Sequence, residues 1–466
     1  MEGGHDQLHD DICLDDAEDL VVQFSDLMLA FEFEQARELV ETSKRRSPSS
    51  SLWVAVMDAL SGIARCDVVY FSLSFLVRKQ QFLRRETILE RDYEEISKAL
   101  DAEMERRTVE EENIFVESIV QNLYIYVSRR CELLRIYHQL LGGISEELID
   151  RIVPNLESIQ ASIENSLLSP LLGGLFSLMN EEVSILLACL LTYNALASCQ
   201  ILPSLTELKG LQRNLIKWTD RLEDLTSAIE KRRPPILFRI FASSPICSLP
   251  RLGILTWFTY FLHFLIAKFS IYFHDALLPH SVPDEVRFTF PQPHASLNLY
   301  PLFQSFFRRT TPICIGLFLD YEDQSFPLGE TRHHGGGMRN CKTCSHLLGP
   351  AGKKYAPLVR IGIPEHKKFF SDWFSLIEGV IRMVKTKGKE TKSSNSKRLK
   401  YKYDSAAGTI TYCALIERRI YFAAIYRSKN SQCDAKAQIV DHFVTVVINC
   451  LNGSKVANEL KSIASR

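Results

Sequence analysis

The stretch "KRLKYKYDSAAGTITYCALIERRIYFAAIYRS", Lys397 to Ser428, decides the class of fold. Its runs KYKYD, TITYCALIE and IYFAAIYR are rich in β-branched and aromatic residues, and tight turns at Ala406–Gly408 and Arg418–Arg419 separate them. That grammar predicts a three-strand antiparallel meander. Before it, "KKFFSDWFSLIEGVIRMVK" has helical spacing, "APLVRIGIPE" is a short strand and "TPICIGLFLDYE" a largely buried one. After it, "AKAQIVDHFVTVVINCLN" closes the chain as a helix. The element order β-β-α-β-β-β-α predicts an antiparallel sheet with helices on one face.

Upstream of Pro283 the pattern is helical throughout. Apolar residues recur at helical spacing from Leu20 to about Lys44, then through "LWVAVMDALSGIARCDVVYFSLSFLV" and over about 85–108, 111–142 and 145–165. "LSPLLGG" (Leu168–Gly174) interrupts, and helices follow over about 177–200 and 204–231. The last of these has Pro203 at its start, with Ser204 or Thr206 able to cap it. The fold class is therefore α+β: an N-terminal all-α helical bundle over 20–280, then a C-terminal antiparallel-sheet domain over 311–466. The sheet domain's element order is that of profilin, longin and roadblock modules. The connecting segment 281–310, with "PQPHASLNLYPLFQSFF", reads as loop, and flexible loops are expected near 325–355 and 385–400. Residues 1–19 carry eight acids and no Lys or Arg, which predicts a disordered leader and argues against a secretory signal.

Composition narrows the function classes. With 466 residues, more than one core is expected. The 55 Lys+Arg nearly balance 56 Asp+Glu, so nothing draws the whole chain toward nucleic acid or membrane. The twelve cysteines are mostly scattered through apolar patterns, which favours a reducing cytosolic setting with free thiols.

"LGILTWFTYFLHFLIAKFSIYF" (Leu252–Phe273) is long enough to span a bilayer. Lys268 lies inside it, and a charge near a span's centre costs about 3 kcal/mol. A helix apolar all round is also the signature of a bundle's central helix, which is the reading favoured here. "RHHGGGMRNCKTCSH" (Arg332–His346) offers a zinc half-site in Cys341 and Cys344, with His333, His334 or His346 as further ligands. Its glycine-rich sequence has almost no apolar residues to support a second shell, so a loop without metal is expected. The run Lys385–Lys402 has eight basic residues and one acid, and reads as a solvated, exposed surface, against the alternative of a patch that meets anionic lipid or nucleic acid. The signatures G-x-S-x-G, G-x-x-x-x-G-K-[ST], H-E-x-x-H and G-x-G-x-x-G are absent, which lowers the prospect of an enzyme.

"LIAKFSIYFHDALL" (Leu265–Leu278), "LLSPL" (Leu167–Leu171), "ILPSL" (Ile201–Leu205) and "SFPLGETRHH" (Ser325–His334) resemble the family of KICSTOR subunit two. The resemblance implies a non-catalytic scaffold or adaptor without cofactor or metal. It would assemble with kaptin-like, FG-GAP-repeat and seizure-threshold-type subunits and recruit the GATOR complex to lysosomes. It would restrain TOR signalling when amino acids or glucose run short. It also implies a cytoplasmic protein, peripheral at the lysosomal membrane through its partners and binding no nucleic acid. Within the motif, Lys268, His274 and Asp275 are the polar residues. They are the candidate partner-binding set, against the alternative of a satisfied polar patch at the end of a core helix. The rival functional readings are a metal-binding protein or enzyme using loop 333–346, and a membrane-embedded protein using 252–273.

Overall fold

A computed structural model describes residues 14–45, 51–76, 89–105, 114–165, 170–231, 252–274, 297, 299–320, 355–362, 367–388, 398–417, 419–428 and 434–465. Asp275, the loop 333–346 and the middle half of the basic run, 389–397, lie outside them. The chain divides into two compact units. The first takes Met1–Leu190, Gly210–Tyr260 and Val456–Arg466, and the second Leu191–Lys209 and Phe261–Lys455.

The first unit is helical. Helix α1 (Leu14–Leu29) starts inside the acidic stretch expected to be a disordered leader. Ala17, Leu20, Val21 and Phe24 bury one face of it, while Asp15, Asp16 and Glu18 occupy the first turns. There the helix dipole favours negative charge. Helix α2 (Phe33–Lys44) is separate from α1 although the apolar period runs through both. The break is a helix C-cap: Phe31 N–H donates to Met28 O and Glu32 N–H to Leu27 O, with Phe31 left-handed at φ 59°. A left-handed non-glycine residue costs about 1–2 kcal/mol. Packing offsets it, since the Phe31 ring is buried against Phe33, Phe71 and Trp218.

Helices α3 (Ser51–Phe71), α4 (Leu89–Glu105), α5 (Ile114–Leu140) and α6 (Glu146–Asn165) follow. The heavily charged α4 buries only a stripe of Leu89, Tyr93 and Leu100. Helix α7 (Gly173–Ala197) begins at the interruption, and α8 (Ile201–Lys231) starts before Pro203. Pro203 is tolerated in the first turn, where its missing N–H would be unpaired anyway. Ser204 does not cap the helix. Its hydroxyl donates to Gln200 O at 2.5 Å from within the first turn.

Helix α9 (Gly253–Tyr272) is the membrane candidate of the sequence. Among the described residues two helical stretches, 170–197 and 253–272, are long and apolar enough to cross a bilayer. Their most apolar windows are 61% and 67% buried inside the protein. In the first unit Trp257 donates Nε1–H to Val456 O at 3.1 Å on α13 (Ser454–Ala464), which follows α12 (Asp434–Leu451). Gly253 lies so close to α3's end that a Cβ would come within 2.4 Å of Ser72 O. In the second unit, Phe264 stacks on Tyr193 at 6.3 Å.

The second unit is built on a five-stranded antiparallel sheet ordered β2-β1-β5-β4-β3. Its strands are β1 (Cys314–Asp320), β2 (Tyr355–Gly362), β3 (Lys400–Asp404), β4 (Thr409–Glu417) and β5 (Ile420–Arg427). The meander is β3-β4-β5, in the expected order. Asp404 Oδ1 accepts from Ala406 N–H and Ala407 N–H in its first turn, and Gly408 closes the turn at φ +60°. Glycine suits that left-handed position without steric cost.

Helices cover both faces of this sheet, not one. Helix α11 (Lys367–Gly388) packs Ile377, Val380 and Ile381 on Phe318, Tyr355, Cys413, Tyr421, Ala423 and Ile425. On the opposite face Phe422 meets Phe443 of α12 and Phe303 of helix α10 (Leu299–Thr310). The burial of every residue in β1 and nearly all of β5 is the physical reason, because a strand covered on both sides reads as a continuous apolar run. Helix α10 itself lies where the sequence reads as loop. Leu299, Phe303 and Phe306, at i, i+4 and i+7, are its buried stripe, and Pro301 sits harmlessly in the first turn.

Candidate functional site

The sequence nominates Lys268, His274 and Asp275. Lys268 projects from α9 and is 1% exposed, so it cannot itself meet a partner. Its ammonium donates to Glu417 Oε1 at 2.7 Å and to Leu451 O, at the end of α12, at 3.3 Å. It also lies 4.4 Å from the centre of the Tyr193 ring. Tyr272, one turn beyond Lys268, donates to the other oxygen of Glu417 at 2.5 Å. Tyr193 in turn accepts from Gly453 N–H at 3.3 Å. Burial pulls the Lys268 ammonium down, but Glu417 and then Tyr193 outweigh it, and its pKa ends above the ordinary value.

This cluster ties α9, the end of β4 and the end of α12 together within the second unit. Glu417 pairs with Ile420 just past an irregularity in the β4–β5 register that leaves Ile416 out of the ladder. His274 is not part of the cluster. It stacks on Tyr300 of α10 with ring centres 4.2 Å apart. Lys268 therefore reads as a satisfied core cation, and His274 contacts a different element, while Asp275 lies outside the described residues.

A second polar cluster lies in the first unit and has no counterpart among the sequence candidates. Arg130 of α5 is fully buried, as are Asp67 of α3 and Glu182 of α7. Its guanidinium reaches Glu182 at 2.5 Å and Asp67 at 3.8 Å, and donates to the Tyr126 hydroxyl at 3.0 Å. Tyr126 and Tyr93 donate to Asp67, and Tyr70 and Tyr137 to Glu182. The guanidinium also lies 4.4 Å from the centre of the Tyr70 ring. Burial raises the Asp67 carboxyl despite the lowering influence of Arg130, Tyr126 and Tyr93. Burial is also the main cause of the upward shifts of Tyr70, Tyr93, Tyr126 and Tyr137. The signal was present in the sequence: an Arg, an Asp and a Glu each interrupt an otherwise apolar helix face. Only the fold shows that the three meet.

The Arg130 cluster is sealed from solvent, and Lys268 is buried beside a partly exposed Glu417, so these charges are spent on internal pairs that hold the elements together. A cleft beside α2 and α3 sets Arg37, Arg45 and Arg65 among Glu41 and Asp58. Those acids already hold Ser61 and Lys44 respectively. Among the described residues no group of three or more His, Cys, Asp or Glu is placed to hold a metal ion. The basic run is partly described. Lys385 is the first of its residues and belongs to α11, where it pairs with buried Asp320 and lies 5.6 Å from the Tyr355 ring centre.

The family model described as "KICSTOR complex C12orf66 like" matches residues 16–465, through both compact units. The chain belongs to this family. KICSTOR subunit 2 of Danio rerio is 22% identical over 443 residues, covering 92% of each chain. KICSTOR subunit 2 of Xenopus laevis is 23% identical over 443 residues, covering 92% of this chain and 93% of that one. Membership of the family agrees with the resemblance carried by "LIAKFSIYFHDALL". In this member, the motif's lysine is a buried strut.

Proposed function

We propose that this protein is a non-catalytic scaffold subunit of a KICSTOR-like complex. The observation that carries the proposal is the family match over 16–465, which takes in the whole architecture rather than one module. The buried clusters support it: Lys268, Arg130, Asp67 and Glu182 are spent on internal pairs, as befits a protein that works through its surfaces. In this reading the protein joins kaptin-like, FG-GAP-repeat and seizure-threshold-type subunits. The assembly recruits the GATOR complex to lysosomes and restrains TOR signalling during amino-acid or glucose starvation. The protein is cytoplasmic and reaches the lysosomal membrane through those partners.

Tagged full-length protein, expressed in cells deleted for the endogenous chain, tests this directly. It should co-purify with the other subunits, and it should restore the fall in TOR signalling on amino-acid withdrawal. A protein that assembles with none of them, or whose deletion leaves starvation signalling normal, refutes the scaffold role. The metal reading is separated by elemental analysis with Cys341→Ser/Cys344→Ser. Stoichiometric zinc, lost in that variant together with stability, would establish a metal protein instead, since structural zinc contributes about 10 kcal/mol or more.

A further inference from the structure

The sheet of the second unit ends in two unlike edges. Strand β2 carries Pro357, which has no N–H to offer, and its pairing with β1 is irregular between Leu317 and Phe318. Both features blunt an edge against further pairing. Strand β3 has neither. It pairs with β4 in unbroken register from Lys400↔Cys413 to Asp404↔Thr409, and no described strand adjoins its outer side. Every second residue of such a strand turns its N–H and C=O outward, a template for one more strand.

Side chains on β3 specify what that strand can be. Lys400 and Lys402 share the face that α11 covers, with Lys402 Nζ reaching 3.8 Å from where a Cβ on Gly379 would stand. Arg398 precedes them, and none of the three cations has an acidic partner among the described residues. Asp404, the strand's acid, is occupied by the turn. On the other face Tyr401 is 50% exposed and leans on Tyr412, at 6.0 Å, which leans on Tyr426 at 5.8 Å. Among the described residues the edge thus combines an open backbone ladder, positive charge without an acidic partner on one face and an exposed aromatic on the other.

A second copy of the chain fits this edge badly, because pairing β3 with β3 brings lysine toward lysine, and like charges across strands repel. We infer that the outer edge of β3 receives an extended, acidic segment of a partner protein, added as a sixth strand. Acids on alternate residues would face Lys400 and Lys402, and apolar residues between them would lie beside Tyr401. This mode takes affinity from main-chain hydrogen bonds and selectivity from alternate side chains. It does not depend on which complex the protein joins.

The test uses the full chain and an eight-residue peptide alternating Glu with Val, labelled for fluorescence anisotropy. Two further probes are a Lys/Val peptide and a Glu/Val peptide N-methylated at alternate residues. The Glu/Val peptide should bind and should slow hydrogen exchange at residues 400–404. K400E/K402E, whose side chains lie at the surface, should weaken it about tenfold and should bind the Lys/Val peptide instead. N-methylation on the pairing side should abolish binding. The inference is overturned if the N-methylated peptide binds as well as the parent, because attraction is then only ionic. It is equally overturned if the Glu/Val peptide fails to bind, or if β3 becomes protected by self-association. Protection of 400–404 by phosphatidylserine vesicles but not by the peptide would overturn it too, in favour of a lipid surface.

Discussion

Replacing Arg130 by Met tests how the first unit is held together. The guanidinium is the only cation described in its cluster, facing Glu182 at 2.5 Å and Asp67 at 3.8 Å with no solvent access. Met keeps much of the volume, so the loss is mainly electrostatic: two buried carboxylates are left without a counter-charge. Breaking a buried pair in this way costs about 3–5 kcal/mol. The Asp67 carboxyl can reduce that cost by taking up a proton, which gives the effect a pH signature. The Asp67 carboxyl is already raised by burial with Arg130 opposing. Without Arg130 it must rise further. A raised carboxyl stabilises the fold fully below its unfolded pKa, about 3.9, and loses that contribution as pH rises through the folded value. The deficit of Arg130→Met relative to the parent should therefore be largest near pH 8 and shrink toward pH 5. Urea unfolding at both pH values, followed through hydrogen exchange of α3, α5 and α7, measures it without assuming that both units melt together. A variant within about 0.5 kcal/mol of the parent near pH 8, or a deficit that grows in acid, refutes the account. Asp67→Asn/Arg130→Met/Glu182→Gln should recover part of the loss, because no uncompensated charge remains.

Other outcomes are equally definite. Lys268→Met should destabilise the second unit by about 3 kcal/mol or more, and Lys268→Met/Glu417→Gln by less than the single change, as read by thermal unfolding. Because the pKa of Lys268 is raised, its contribution should persist through neutral pH and disappear only as pH climbs through its folded value, above 10.5. Phe264→Asp should leave the protein insoluble or unfolded, since a carboxylate replaces a ring that is 2% exposed. A soluble variant with the parent's melting curve would contradict the placement of α9. Burial pushes the Cys66 and Cys199 thiols up to about 12 and the Cys131 thiol to about 11. All three should resist iodoacetamide at about pH 8 by mass spectrometry until denaturant is added, whereas an unperturbed thiol titrates near 8.5.

Much of this protein was legible in its amino-acid order. The meander was readable because its strands and turns are local: alternating and β-rich runs are bounded by Asp-Ser-Ala-Ala-Gly and by Arg-Arg. The long helices were readable for the same reason, since a 3.6-residue period needs no distant partner to announce itself. Boundaries failed where tertiary packing overrode a local signal. Buried Phe31 holds a left-handed cap that the continuous apolar period through Leu27 and Phe31 concealed. The burial of Leu299, Phe303 and Phe306 against the sheet makes a helix of a segment whose prolines suggested loop. The helix α1 begins within the acidic stretch because Ala17 and the residues after it, Leu20, Val21 and Phe24, find a core, which the acidity could not indicate.

The candidate site divides in the same way. A lysine within an apolar helix was visible as an anomaly, but its meaning was not, because its partner Glu417 lies 149 residues away. The Arg130 cluster draws on α3, α4, α5 and α7, and no spacing rule connects Asp67, Tyr93, Arg130 and Glu182. Ionic partners meet through space, and the fold alone decides which charges become neighbours. Periodicity, in contrast, is a property of the chain itself, so the amino-acid sequence determined the elements and their order. The tertiary structure decided which polar residues were sealed away, as Arg130 is, and which, like Lys402 at the sheet's edge, stayed at the surface.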